Sequence, residues 1–277
     1  MVARKHIDAS RLRARLIHPV GPYAWIDVVP STGSTNADLR QAVVDGAADR
    51  TVLIAEEQTA GVGRRGRTWS SPAGTGVYCS VLLRPAGVPV AGLGSLAVVA
   101  GLAVLDLADE LGVDAALKWP NDVLAADGAG KCAGILSEAA PSEEQAVILG
   151  IGINVDPPRD AVPPAPGGLP PVSLADLGAR TTDRTGICLS LLTALHERES
   201  AWRRAGGDLA EAGLLELYRS RCSTLGRHVK IMIAGGGTLV GDAVDLDSTG
   251  ALVIEPQEGG RRTVFAGDVV HLRPVSE

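Results

Sequence analysis

Residues 58–76 read Gln58-Thr59-Ala60-Gly61-Val62-Gly63-Arg64-Arg65-Gly66-Arg67-Thr68-Trp69-Ser70-Ser71-Pro72-Ala73-Gly74-Thr75-Gly76, and the fold turns on how this stretch is read. Taken literally, Gly61-x-Gly63-x-x-Gly66 matches the dinucleotide-binding fingerprint. That fingerprint needs a strand running into it and a helix opening behind it, so that helix-start amides face a pyrophosphate. Here Thr68 to Gly76 carry a proline and two further glycines, which do not form a helix. The Rossmann reading is rejected. What remains is a loop with three glycines, three arginines (Arg64, Arg65, Arg67) and one aromatic residue, Trp69, at its exit, suited to gripping an anion. The alternative is a solvated Gly/Arg surface loop, and the rest of the chain has to decide between the two.

On either side of the loop the pattern is that of a sheet. Thr51 to Ala55 is a β-branched strand entering it and Val77 to Leu83 a strand leaving it. Upstream, residues 8–17 pattern as a short amphipathic helix and Trp25 to Val29 as a strand. Ser34-Thr35-Asn36 then precede the helical pattern Ala37 to Val44, where capping alone would justify a hydroxyl. Yet exposed amides at a helix start also make a polar ligand site. Downstream, Leu93 to Leu105 is uncharged and rich in Ala, Leu and Val. At 13 residues it falls short of the roughly 20 needed to span a bilayer, so a buried helix is expected.

Lys118-Trp119-Pro120-Asn121-Asp122 places a lysine at a strand end, followed by a turn bearing an amide and a carboxylate; an ordinary turn explains it equally well. Lys131 to Glu138 and Val147 to Val155 read as strands with interior glycines (Gly134, Gly150, Gly152), which mark close approach of a ligand or of another backbone. Seven prolines in 156–171 predict an irregular surface excursion. Helices are expected over Ile187 to Arg204 and Leu209 to Arg221. Beyond Gly226 the texture becomes short alternating strands (His228 to Ala234, Thr238 to Leu246, Ala251 to Glu255, Thr263 to Ala266, Val269 to Leu272), a small all-β barrel appended to an α/β domain.

The 277 residues, 45% of them hydrophobic, suffice for a sizeable core plus a small second domain. A net charge of −6 and a pI near 5.4 argue against a broad nucleic-acid surface. The cysteines (Cys79, Cys132, Cys188, Cys222) include no C-x-x-C pair, and the histidines (His6, His18, His196, His228, His271) no H-x-x-x-H spacing. Neither a disulfide framework nor a transition-metal site is indicated, and direct metal ligands are left unknown. The amino-terminal stretch has no apolar h-region, so a cytoplasmic location is expected.

Ser34-Thr35-Asn36, Gln58 with the loop through Trp69, Lys118-Trp119-Pro120-Asn121-Asp122, Lys131-x-Ala133-Gly134-Ile135-Leu136 and Gly150-x-Gly152-Ile153-Asn154-Val155, taken as an ordered set, resemble the biotin protein ligases. Each piece alone is weak; the ordered set is specific. The resemblance implies an α/β (α+β) catalytic domain related to the class II aminoacyl-tRNA synthetases, a mixed sheet with helices over residues 1–225. It also implies a small SH3-like β-barrel over 226–277. The implied activity joins biotin and ATP into biotinyl-5′-AMP and transfers biotin to a lysine of a biotin carboxyl carrier protein, with Mg²⁺ accompanying ATP.

By the same resemblance, Arg64 and the loop backbone (Gly61, Val62, Gly63) hold the biotin carboxylate and the phosphate, and Lys118 bridges the two; Arg64 and Lys118 are the catalytic pair. Ser34, Thr35, Asn36 and Gln58 line the polar end of the biotin site, while Gly134 and Gly150 leave room for its bicyclic ring. Arg67, Trp69, Asn121 and Asn154 face ATP or the adenylate, with Trp69 as the adenine platform. One departure stands out: the family loop usually reads Gly-Arg-Gly-Arg, and Val62 replaces the first arginine, keeping the amide but losing a cation. The 33 residues before Ser34 are too few for the helix-turn-helix module of ligases that double as repressors, so a monofunctional enzyme, without nucleic acid or membrane and monomeric or weakly dimeric, is expected. The competing readings are a lipoate or octanoate ligase or transferase with the same core, and a non-catalytic SH3-like binding module.

Overall fold

The β-branched and apolar runs on either side of the loop do form strands. In the computed structural model, which describes residues 5–158, 169–233, 237–265 and 267–271, seven of them make one sheet. They are β1 (Trp25–Val29), β2 (Thr51–Ala55), β3 (Gly76–Leu83), β4 (Ala115–Lys118), β5 (Asp122–Ala125), β6 (Lys131–Ala140) and β7 (Ala146–Asn154), in the order β1-β2-β3-β7-β6-β5-β4. β1 and β2 are parallel and every other pair is antiparallel, so the sheet is mixed, as expected. Five more strands, β8 (His228–Ile233), β9 (Thr238–Leu246), β10 (Leu252–Glu255), β11 (Arg262–Val264) and β12 (Gly267–His271), form an antiparallel sheet in the order β11-β10-β9-β8-β12.

Strand periodicity gives the large sheet two unlike faces. One carries Val77, Cys79 and Val81 of β3, Ile135 of β6 and Leu149, Ile151 and Ile153 of β7, and it packs on the main core with helices α3 (Leu96–Leu111) and α4 (Arg184–Arg204). The other carries Ser80 and Leu82 of β3 and Ile148, Gly150 and Gly152 of β7. There Leu82 and Ile148 meet Leu39 and Val43 of helix α2 (Thr35–Val44) in a small second core. Helix α2 covers only that end of the face. At the other end the register sets Gly152 between Tyr78 and Gly134, and Gly150 between Ser80 and Leu136, so along β7 this part of the face carries no side chain.

Helix α1 (Ala9–Leu16) starts on Asp8, whose carboxylate accepts from the Arg11 amide at 3.0 Å, the ordinary N-cap arrangement. Helix α3 ends on Gly112, whose φ of +74° allows the left-handed cap. Its apolar stretch with the preceding 3₁₀ turn runs from Val90 to Leu111, 22 residues, long enough to cross a membrane by length and composition. The expectation of a buried helix holds, but its stated reason, shortness, does not. Burial decides: Leu96, Val99, Ala100, Leu102 and Ala103 are 0–1% exposed against the sheet and α4.

The predicted helix over Leu209 to Arg221 is only α5 (Leu215–Arg221). Gly213 turns at φ +70°, and the Leu209 amide is drawn to the Ser248 carbonyl (2.9 Å) between β9 and β10. That tertiary bond takes the backbone out of helical register. Most of the proline-rich excursion expected at 156–171 lies outside the described residues.

Two buried acids are neutralised from distant parts of the chain. Glu56, 6% exposed, meets the Arg184 guanidinium at 2.5 Å and accepts from the Ile7 amide at 2.6 Å. Glu199, 1% exposed, is held by Arg50 (2.7 Å) and Arg203 (2.5 Å). Removing one partner of such a pair strands the other charge and typically costs about 3–5 kcal/mol.

The two sheets share one continuous core, which contains Val229, Ile231, Leu246, Leu252 and Ile254 together with α3 and α4. Polar contacts pin the junction. The Trp119 indole donates to the Gly250 carbonyl (2.9 Å) and the Trp119 amide to the Thr224 hydroxyl oxygen (3.1 Å). That hydroxyl lies 3.2 Å from Nε2 of His271, so its hydrogen is available to an unprotonated ring. Burial, helped by nearby Lys118 and Arg227, pushes the His271 pKa from 6.5 to about 4. Between these values the unfolded chain binds a proton at this residue that the folded chain refuses, so stability falls as pH drops through that window. The urea midpoint should therefore decline from pH 6.5 to pH 4, and less steeply in His271→Asn; equal slopes would contradict this origin.

Candidate functional site

Above the glycine-lined end of the sheet lies a cavity of about 770 Å³, within the range of small-molecule sites. Its floor is the β7 and β6 glycines; its walls are the start of α2, the loop, the β4–β5 turn and the edge of the C-terminal sheet. Every residue that the resemblance assigns to the ligand site lines it except Gly61. Gly61 instead lets the loop close on itself: a side chain there would meet the Trp69 carbonyl oxygen at 2.5 Å.

The loop folds back as a small hairpin. The Trp69 amide donates to the Gly61 carbonyl (2.8 Å) and the Gly63 amide to the Arg67 carbonyl (2.6 Å). Its tip turns through positive φ at Arg65 (+57°) and Gly66 (+70°), which is why glycine serves at the second position. No helix follows, in agreement with rejection of the dinucleotide reading. Val62 sits at the cavity edge, about half exposed.

Three guanidiniums within four residues repel one another, and the C-terminal sheet supplies their counter-charge. The Asp268 carboxylate lies 2.6 Å from Arg67, 3.2 Å from Arg65 and 3.6 Å from Arg64. Arg64 also donates to the Gly267 carbonyl (3.1 Å) and the Asn121 side-chain oxygen (3.3 Å). Burial lowers the Arg64 pKa, opposed by Asp268.

Lys118, at the end of β4, has its pKa lowered chiefly by burial, with Asp122 opposing and Lys131 and Arg67 adding to the fall. Among the described residues no carboxylate approaches its ammonium within 4.0 Å, whereas Lys131 is neutralised by Asp122 at 2.6 Å. A desolvated, uncommitted cation facing a cavity favours an incoming anion.

At the other end, polar groups form a relay. Gln58 Oε1 accepts from the Thr35 amide (2.9 Å) and hydroxyl (3.1 Å), and its amide donates to Ser71 (2.9 Å). Ser34 precedes α2 but makes no capping bond. The plain capping explanation therefore fails: Gln58 satisfies the helix start from another segment, and the Ser34 hydroxyl is left to line the cavity.

The glycines do not simply leave a ligand-sized gap. A side chain at Gly152 would meet the Trp69 indole at 2.6 Å and one at Gly134 would meet Trp69 and Lys131 at 3.0 Å, while one at Gly150 would meet Asn36 Oδ1 at 2.3 Å. Their first effect is to let Trp69 and Asn36 lie down on the sheet. The Lys131 ammonium stands 5.0 Å from the Trp69 ring centroid, a cation–π distance, and the buried Trp69 indole nitrogen has no hydrogen-bond partner among the described residues. Asn154 donates to the Lys131 and Val172 carbonyls (3.2 and 3.3 Å) and Asn121 to the Ile135 carbonyl (2.8 Å).

Sequence reasoning passed over Lys131 and Asp268. Lys131 stood inside a quoted motif and was legible as a strand-end cation. Asp268 carried no signal, being one acid in an alternating strand about two hundred positions from the loop.

Residues 25–154 match the biotin/lipoate A/B protein ligase family and residues 224–272 the biotin protein ligase C terminal domain. The chain is 44% identical to a biotin--[acetyl-CoA-carboxylase] ligase of Mycobacterium tuberculosis over 98% of this chain and 97% of that protein. It is 30% identical to a bifunctional ligase/repressor of Bacillus subtilis, over 88% and 72%. Among solved structures it resembles the Aquifex aeolicus biotin protein ligase in complex with biotin and ATP, with a TM-score of 0.73, 27% identity, and 91% and 100% coverage.

The geometry makes Asp268 the clasp between loop and C-terminal sheet. Asp268→Asn should speed amide hydrogen exchange across residues 58–69 while strands β3 and β7 keep their protection; an unchanged loop would show that the other contacts suffice.

Proposed function

The chain belongs to the biotin protein ligase family, and we propose that its cavity holds biotin and ATP side by side, with the loop and Lys118 at their reacting ends. In the first half-reaction a biotin carboxylate oxygen attacks the α-phosphorus of ATP; the new P–O bond gives biotinyl-5′-AMP and the bond to pyrophosphate breaks. Two anions must meet, so preformed cations and amides have to offset charge that grows on the phosphoryl oxygens. The observation that carries this reading is Lys118: half-buried, lining the same cavity as Arg64, and without a carboxylate of its own among the described residues.

Arg64, Arg67 and the amides from Val62 onward hold the carboxylate and phosphate, and Lys118 bridges them. Substrate phosphate takes over the attraction that Asp268 exerts on the arginines. Ser34, Thr35, Asn36 and Gln58 meet the ureido end of biotin above Gly150 and Gly134. Trp69 offers its face to adenine, with Asn121 and Asn154 shaping that end. The amide-rich polar end suits a ureido ring better than the apolar acyl chain of a lipoate or octanoate enzyme.

In the second half-reaction the neutral ε-amine of a lysine on the carboxylase carrier domain attacks the acyl carbon, AMP leaves, and the amine gives up its proton. Mg²⁺ would screen the nucleotide phosphates. Asp122 is engaged by Lys131 and Asp268 by the arginines, and among the described residues no cluster of three metal-ligating side chains exists. The residues present therefore fit a cation carried by phosphates and water. We further take residues 226–277 as a separate C-terminal domain and the cytoplasm as the site of action, which suits four buried free cysteines.

The deciding experiment is biotin-dependent ATP–pyrophosphate exchange by the pure folded protein, and its absence would overturn the assignment. Lys118→Ala should lower exchange by about 10²–10³-fold, the loss typical of one preorganised stabilising group. Arg64→Gly should fold normally yet release biotinyl-5′-AMP faster in a filter-binding assay; unchanged retention would move the carboxylate and phosphate away from Arg64.

A further inference from the structure

Behind the cavity wall stands an acid that the reaction itself does not need. Glu138 of β6 does not line the cavity. Its Oε2 accepts from the Asn36 side-chain nitrogen at 2.7 Å, and its Oε1 accepts from Arg40 at 3.1 Å. The Leu136 carbonyl lies 3.4 Å from the same Asn36 nitrogen, and the fully buried Ser80 hydroxyl, 2.6 Å from both Asn36 Oδ1 and Thr35 Oγ1, has one hydrogen to donate between them.

A carboxamide can turn over, exchanging a donor for an acceptor at nearly no steric cost. At Asn36 two groups that only accept, a carboxylate and a backbone carbonyl, stand on one side, and a hydroxyl able to donate stands on the other. The turned-over amide would aim its oxygen at the Glu138 carboxylate, so the orientation is fixed electrostatically. Asn36 is 6% exposed, and its oxygen rests where a Gly150 side chain would be, 2.3 Å from that position. An amide oxygen has two lone pairs, and Asn36 and Gly150 both line the cavity.

Resting on the biotin reading above, we infer that Glu138 is a positioning residue that locks the Asn36 carboxamide oxygen towards the ligand, so that the site selects an acyl substrate bearing a ring N–H. Glu138 acts only through Asn36. An acyl chain without an N–H, such as a lipoyl or octanoyl group, leaves that oxygen with one partner fewer, whereas a ureido nitrogen completes it. This places a specificity element of the ligand pocket on a strand residue outside it, held in turn by Arg40 on the exposed side of α2.

The test is steady-state pyrophosphate exchange with biotin and with an N-methylated biotin, in the wild-type chain, Glu138→Leu and Glu138→Gln. Loss of one part-buried hydrogen bond to a charged group corresponds to about a tenfold effect. Glu138→Leu should raise the KM for biotin by about that factor, leave the KM for ATP unchanged, and lose most of the preference for biotin over its N-methyl analogue. Glu138→Gln, which can still accept through Oε1, should restore most of the biotin KM. An active wild type with an unaltered preference in Glu138→Leu, or equal rises in both KM values, would overturn the inference and leave the ligase reading standing. No biotin-dependent exchange in the wild type would remove both. If Glu138→Leu loses its cooperative melting transition, Arg40→Met at the exposed end of the chain of contacts decides: a severalfold rise in the biotin KM alone is expected, and no change overturns the inference.

Discussion

The constraint on which the site depends is the mutual repulsion of Arg64, Arg65 and Arg67. At about 4 Å two like charges repel by about 1 kcal/mol even in bulk water, and by more near a protein surface. A free loop would relieve this by spreading into solvent. In this chain one carboxylate, Asp268 on β12, draws all three together, so the docked C-terminal sheet adds the counter-charge that the loop's own hairpin bonds do not supply. The tryptophan indole on Gly250 and the Thr224 bridge between Trp119 and His271 set that docking. The shape of the arginine loop is thus tied to the meeting of two sheets, and the group that gathers its cations is an anion, as a phosphate is in the reading proposed above.

The second requirement is space, and glycine provides it indirectly. On the exposed end of the large sheet the β3–β7–β6 register aligns Gly150, Gly152 and Gly134. The missing side chains are filled at once by Asn36, Trp69 and Lys131, which lie flat against the sheet. The cavity floor is therefore a layer of functional side chains supported by backbone. Its polar end is equally dependent on remote support: Gln58 caps the start of α2, Ser80 and Glu138 hold the Asn36 amide, and Arg40 holds Glu138. Such chains of contact convert the rigidity of a sheet into orientation at a ligand.

Fold class and strand positions were legible because they follow from short-range chemistry. β-branched and apolar runs produced β1 to β3, β6 and β7, and alternation produced β8 to β10, close to their observed limits, and Pro72 with Gly74 and Gly76 excluded the helix that a dinucleotide fold would have required. Local rules misled where a distant partner intervened. Ser34 has the place of a cap but not the bond, because Gln58 arrives from another segment. Leu209 to Gly213 has helical composition, yet a carbonyl between β9 and β10 captures its first amide.

By itself, then, the sequence determined an α/β domain and the β-rich C-terminal region, since periodicity, turn chemistry and residue type are local properties; the mixed sheet and the ordered set of residues that lines the cavity were legible only through the family resemblance. Tertiary structure alone decided that Asp268 meets all three loop arginines, that Lys118 stays unpaired among the described residues while Lys131 is taken by Asp122, and that Glu138 reaches Asn36. The physical reason is the same in each case. Electrostatic and hydrogen-bond partnerships depend on separations of a few ångströms between residues far apart in the chain, and no pattern along the chain encodes which acid will reach which cation.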